Sequence, residues 1–160
     1  MEKPIDIIKQ ALRNELHASA FFAKAAELTK DDESRMLFLE LGGMEDDHAA
    51  ALVERLKSAP CAKDTDLPAL LKQLESSPEP VLPAAEMVII ENGDPRAVLS
   101  LAIDLENRAM QTYARLAEES TDLEIKGYCL DLAKEELSHA SALTRLLRSL
   151  DMDEEDRPGL

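Results

Sequence analysis

The chain repeats itself at an offset of 91 residues, and the repeated residues include two pairs of glutamates and one pair of histidines. Glu15 matches Glu106, Glu45 matches Glu136, and His48 matches His139, with no insertion or deletion between the copies. Flanking identities in the same register are Ala11 with Ala102, Asp31 with Asp122, Leu39 with Leu130, and Leu52 with Leu143. The chain is therefore built from two copies of one unit.

Each unit has the pattern of a helical hairpin. Apolar residues recur at heptad-like spacing, and the low aromatic content of 3% with only five glycines favours long helices over a sheet. The pattern predicts four helices. The first runs from Pro4 to about Thr29, the second follows the turn Lys30–Asp32 and ends at about Ser58, the third runs from Pro95, capped by Asp94, to about Glu119, and the fourth starts at a Thr-x-x-Glu capping box at Thr121–Glu124 and ends at about Leu150. The acidic tail, 151–160, is predicted to be frayed.

A long linker, 59–93, separates the two hairpins. It is too long for a helix-to-helix turn, and its apolar segments Leu67–Leu74 and Val81–Ile90 are predicted to form brief helices. Such a linker can span a 26-residue helix, roughly 39 Å at 1.5 Å per residue. The predicted fold is an all-α four-helix bundle over 1–150, with one long crossover between the second and third helices.

Glutamate and histidine occupy inward positions where neighbouring turns of the same helices place leucine, isoleucine and phenylalanine. The glutamates of each hairpin lie fifteen residues on either side of its turn, so antiparallel helices bring them to one height, and each histidine follows its glutamate by three residues. Burying four carboxylates is very unfavourable unless cations accompany them. The predicted ligands of two divalent ions are Glu15, Glu45, His48, Glu106, Glu136 and His139. A donor set without thiolate favours iron or manganese and leaves zinc open.

With its Glu15, Glu45-Asp-Asp-His48, Glu106 and Glu136-Leu-Ser-His139 motifs, the chain resembles the rubrerythrin branch of the ferritin-like superfamily over nearly its whole length. The resemblance implies two iron ions bridged by Glu45 and Glu136, with the other four residues as terminal ligands. It also implies that the reduced iron reacts with hydrogen peroxide or dioxygen. Typical members carry a rubredoxin domain and a further glutamate where this chain has Ala109. A separate electron-donor protein is therefore expected, and efficient peroxidase turnover is not implied.

Two other functions remain open at this point. One is iron binding or storage without turnover, and the other is hydroxylation of an organic substrate in a pocket near Met87–Ile90. Tyr113 is predicted either to contact a ligand carboxylate, with a possible redox role, or simply to pack as an aromatic ring. His17 is predicted to be a solvated surface residue, and the sequence does not distinguish which of Asp46, Asp47 and Glu135 orients a ligand histidine.

Charge and cysteine content exclude several classes of protein. A net charge of −15 argues against nucleic-acid binding, because phosphate contacts need clustered lysine and arginine. The chain has neither an apolar run that suits a membrane span nor a secretory signal, which predicts a cytoplasmic protein. The two cysteines form no metal or disulfide motif, so Cys129 is expected to be a buried free thiol and Cys61 a linker residue. Alanine-rich helix faces favour a homodimer.

Overall fold

The computed structural model describes residues 3–58, 68–69, 72–73 and 82–155. Within those ranges the chain is helical and contains no strand, which confirms the all-α prediction. The helices with defined bounds are α1 (Pro4–Leu28), α2 (Asp32–Ser58), α3 (Ala84–Asn92), α4 (Pro95–Glu119) and α5 (Leu123–Glu155). The four long predicted helices correspond to α1, α2, α4 and α5.

Both hairpin turns end in an aspartate that caps the next helix. The carboxylate of Asp31 accepts the backbone N–H of Ser34 at 2.9 Å, and that of Asp122 accepts the N–H of Ile125 at 3.1 Å. The prediction that Thr121 caps the last helix was wrong. Because α5 begins one residue later than a Thr121 cap requires, the side chain of Asp122 lies within reach of the free N–H groups. The two caps occupy equivalent positions of the repeat.

The start of α4 and the end of α5 are joined by Arg96. Gly93 ends α3 in a left-handed conformation (φ 70°), and Asp94 then caps α4 as predicted, accepting the backbone N–H of Arg96. The Arg96 guanidinium donates to the carboxylate of Asp151 at 2.8 Å and to the carbonyl of Leu150 at 3.3 Å. The contact lies where α5 passes its predicted end and continues into the first residues of the acidic tail.

The helices pack as two hairpins, α1 with α2 and α4 with α5, which meet through α1–α4 and α2–α5 contacts. Two apolar clusters lie at opposite ends of this assembly. Representative members are Ile8, Leu52, Leu116 and Leu132 at one end, and Phe22, Phe38, Leu99 and Leu143 at the other. The first cluster contains residues from the starts of α1 and α5 and from the ends of α2 and α4, and the second contains residues from the opposite ends. Therefore α2 and α4 run in the same direction, and α1 and α5 run opposite to them.

The short helix α3 packs against α1 and α4, and its Ile90 is 1% exposed in the second apolar cluster. It confirms a brief helix in the Val81–Ile90 segment, shifted to Ala84–Asn92. Most of Leu67–Leu74, the path of the crossover and Cys61 lie outside the described residues. No helix in the described ranges is both long and apolar enough to cross a membrane. Cys129 is a buried free thiol, as predicted, and burial raises its pKa to about 11.

Candidate metal centre

The six predicted ligand side chains come together in the interior. The four glutamates are at most 2% exposed, and His139 is 5% exposed. His48 leaves 14% of its side chain accessible. The helical spacing that predicted a common height is therefore realised in the tertiary structure.

The six residues form two overlapping groups whose ligand atoms lie within 4.8 Å of one another. The first ligand group is Glu15, Glu45, His48 and Glu136, and the second ligand group is Glu45, Glu106, Glu136 and His139. Glu45 and Glu136 belong to both groups. A shared pair of carboxylates between two sets of terminal residues is the arrangement that suits two adjacent cations.

In both groups the imidazole presents Nδ1 to the carboxylates. Nδ1 of His48 lies 3.4 Å from oxygens of Glu15 and Glu45 and 3.8 Å from Glu136. Nδ1 of His139 lies 2.9 Å from Glu45, 3.4 Å from Glu106 and 3.5 Å from Glu136. Ligands bound at about 2.1 Å to a common ion can be at most about 4.2 Å apart. All of these separations fit that limit.

Several of the atoms that converge here lack hydrogen-bond partners. Among the described buried side chains, one carboxylate oxygen of each of the four glutamates and Nδ1 of His139 have none. The 2.9 Å approach of His139 Nδ1 to Glu45 is a close contact without hydrogen-bond alignment. An unsatisfied buried polar atom costs about 1–3 kcal/mol, so five together need a compensating group. A pair of cations between them would supply it.

Without cations, protons bind to this cluster instead. Burial raises the pKa of Glu15 to about 9 and that of Glu106 to about 10. Burial opposes protonation of the imidazoles, but their carboxylate neighbours outweigh it and raise the pKa of His48 to about 11 and of His139 to about 12. Burial also acts to raise the pKa of Glu45, yet its contacts with both histidines lower it below the ordinary value. In the metal-free protein, bound protons therefore neutralise the negative charge of the buried carboxylates.

Tyr113 contacts a ligand carboxylate directly. Its ring is fully buried, and its hydroxyl donates to Oε1 of Glu15 at 2.5 Å, with the carbonyl of Ala11 3.3 Å away. Of the two predicted roles, the structure shows the ligand contact. The equivalent residue of the other repeat is Phe22, which is buried but has no hydroxyl to offer Glu106. The two ligand groups are therefore not equivalent.

A second asymmetry concerns the histidines. Nε2 of His48 forms a hydrogen bond with the exposed carboxylate of Glu135, which identifies the acidic residue that orients this ring. Asp46 instead accepts the hydroxyl of Ser19. The position equivalent to Glu135 in the other repeat is Met44, which has no carboxylate for His139. Fixing the second imidazole nitrogen orients a metal-binding histidine, so His48 is the better fixed of the two.

His17 does not have the solvated environment predicted for it. It is half-buried, and its Nε2 lies 2.9 and 3.1 Å from the two carboxylate oxygens of Glu86, a residue only 8% exposed. The pair joins α1 to α3 and takes no part in either ligand group. The sequence did not predict it, because nothing in the pattern specifies where the crossover helix packs.

Two depressions approach the centre from opposite faces. Between α1 and α4 lies a cavity of about 180 Å³, with Glu106, Asn14, Ala18, Ala109 and Thr112 among its lining residues. Between α2 and α5 lies a wider groove of about 710 Å³, lined by both histidines and by Glu135, Asp47 and Ala142 among others. The α1–α4 cavity therefore reaches the carboxylate of Glu106, and the α2–α5 groove reaches the two histidines.

Comparison of the chain with protein-family models, with curated proteins and with solved structures finds no match.

Proposed function

We propose that this chain is a ferritin-like diiron oxidoreductase of the rubrerythrin type, which uses reduced iron to react with hydrogen peroxide or dioxygen. The observation that carries the proposal is the pair of overlapping ligand groups that share Glu45 and Glu136. Four carboxylates and two imidazoles buried around unsatisfied ligand atoms match the donor set of dimetal carboxylate bundles.

The direction of the long helices supports a ferritin-like bundle with one long crossover. Because α2 and α4 run in the same direction, the linker between them has to return along the length of the bundle. Bundles with one such connection form the ferritin-like class. Short loops alone would instead give an antiparallel arrangement of successive helices.

The proposed cofactor is a pair of iron ions, with manganese and zinc as competing occupants of the same donors. Glu45 and Glu136 would bridge, because each belongs to both ligand groups. Glu15 with His48, and Glu106 with His139, would then be the terminal ligands of the two ions. Two divalent cations balance the four carboxylates of the interior.

Bound iron would supply the one-electron chemistry that the amino-acid side chains lack. The protein supplies geometry and protons. The Tyr113 hydroxyl holds one oxygen of Glu15, Glu135 fixes the ring of His48, and all four carboxylates are at most 2% exposed. A redox role for Tyr113 stays a prediction, and its hydrogen bond to Glu15 supports it.

The proposal includes a separate electron-donor protein and a homodimer as partners. A storage function remains the alternative and predicts many irons per chain in a large shell. The hydroxylase alternative needs an organic pocket formed near Met87–Ile90. In the described residues Ile90 packs in the second apolar cluster, and the cavity beside Glu106 is lined by α1 and α4.

Anaerobic titration of metal-free protein with ferrous iron, followed by stopped-flow mixing with hydrogen peroxide, tests the proposal. We expect two irons per chain in a small oligomer and oxidation faster than that of free ferrous ion. The variant Glu45→Gln with Glu136→Gln removes both shared carboxylates and should abolish both properties. Glu54→Gln, an exposed change on the same helix, should leave them intact. Oxidation no faster than in free solution would contradict the proposal, and many irons per chain would favour storage.

A further inference from the structure

We propose that small exogenous ligands enter through the α1–α4 cavity and meet the centre at the second ligand group, at the ion held by Glu106 and His139. The first ligand group, with Glu15 and His48, is closed to them. This inference rests on the proposed dimetal function and adds to it which of the two ions is the reactive one and by which face it is reached.

The cavity connects the outside of the bundle with a ligand carboxylate. Its lining includes Arg108, which is exposed, and Glu106, which is 2% exposed. Ala18 and Ala109 are equivalent positions of the repeat and both line it. Their small side chains leave space between α1 and α4 where larger residues would fill the interface.

The repeat explains why the cavity reaches one carboxylate and not the other. Tyr113 fills the position beside Glu15 and bonds to it, and Glu15 is not among the lining residues. The equivalent position beside Glu106 holds Phe22, which lines the cavity and forms no hydrogen bond to the carboxylate. Glu106 therefore lies at the wall of the cavity with no tyrosine hydroxyl bonded to it, whereas Glu15 has one oxygen held by a phenol.

The opposite face is covered by the histidines themselves. The rings of His48 and His139 stack with centroids 6.1 Å apart and planes 13° from parallel. Both rings turn Nδ1 inward to the carboxylates while they line the α2–α5 groove. The lining of that groove includes both histidines, one of them held by Glu135, and none of the four buried glutamates.

The lining defines the chemical class of the ligand. A volume of about 180 Å³ admits a few waters or one small molecule. The amide of Asn14 and the hydroxyl of Thr112 offer hydrogen bonds, and Arg108 adds a positive charge at the exposed side. The buried carboxylates repel multiply charged anions. The expected ligands are neutral or singly negative molecules of two or three heavy atoms, such as peroxide, dioxygen or azide.

Azide binding to protein loaded with two equivalents of Co²⁺ tests the route without turnover, since azide coordination shifts the visible Co²⁺ bands. Ala109→Leu places a larger side chain in the cavity and should raise the azide Kd at least about tenfold, equivalent to about 1.4 kcal/mol, while two Co²⁺ still bind. Ala18→Leu fills the same space from α1 and should act alike. The control Ala142→Leu narrows the α2–α5 groove and should leave the azide Kd unchanged.

The outcomes separate the inference from the function on which it rests. Failure of the unmodified protein to bind two Co²⁺ counts against the dimetal centre itself. Two bound Co²⁺ with unaltered azide affinity in both cavity variants would overturn the route, as would loss of azide binding in Ala142→Leu alone. Loss of Co²⁺ binding in both cavity variants would also overturn it, because the cavity wall would then be part of the metal site and not a passage.

Discussion

Metal binding should release protons at pH 7, at least about one for each ion. The four groups concerned are Glu15, Glu106, His48 and His139, whose pKa values in the metal-free protein are about 9, 10, 11 and 12. The histidines owe their raised pKa values to ionised carboxylates beside them, so each Glu–His pair holds at least one proton before metal is added. A carboxylate and an imidazole bind a cation only after losing these protons.

The number of protons released also sets the pH dependence of the metal affinity. Release of one proton or more per ion means that the apparent association constant for each ion should rise at least about tenfold per pH unit between pH 6.5 and 8.5. This pH dependence of the association constant holds only while the pH stays below the pKa values of all four groups. Titration with Zn²⁺ or Co²⁺ in weakly buffered solution, with a pH indicator or by calorimetry in two buffers, measures both quantities.

A matched variant checks the assignment of the protons. Glu15→Gln keeps the size and neutrality of the protonated side chain but has no proton to lose. The variant should fold as well as the original chain, release fewer protons than it does, and bind its first-group ion more weakly. Release of fewer than about one proton per ion by the unmodified protein, or an affinity independent of pH, would refute the reasoning.

Three further outcomes are expected. The melting temperature of the metal-free protein should fall as pH rises from 6.5 to 9, measured by circular dichroism. Folding raises the pKa values of four groups, which are His48, His139, Glu15 and Glu106. Their contribution to the free energy of unfolding is complete below the unfolded pKa values of 6.5 for histidine and 4.5 for glutamate, and it is lost as the pH rises toward the folded values. A melting temperature that does not change with pH would contradict this prediction. Tyr113→Phe should cost about 0.5–1.5 kcal/mol in urea unfolding, because one oxygen of buried Glu15 loses its donor; no loss would show that the bond adds nothing. Glu135→Gln should weaken binding of one ion about 10–100-fold, whereas Asp131→Asn, an exposed change one turn earlier, should not; equal effects of the two would exclude a specific role for Glu135.

The convergence of the four glutamates and two histidines was predictable because helical geometry is periodic. Residues three apart share a helix face, and equal distances from a tight turn give equal heights in an antiparallel hairpin. These two rules, applied to Glu15 and Glu45 and to their copies 91 residues later, were enough to expect that the carboxylates meet. The long helices, the Asp94 cap and the buried thiol of Cys129 follow from equally local signals.

Other features depended on how the two hairpins and the crossover helix are placed around each other. The bond of Glu135 to His48 and that of Tyr113 to Glu15 join different hairpins, and the His17–Glu86 pair joins α1 to the crossover. Periodicity along one helix specifies a face and a height, but it leaves the rotation and offset between separate hairpins undetermined. The sequence thus determined which side chains enter the interior, and tertiary packing decided which of them touch and which carboxylate borders the α1–α4 cavity.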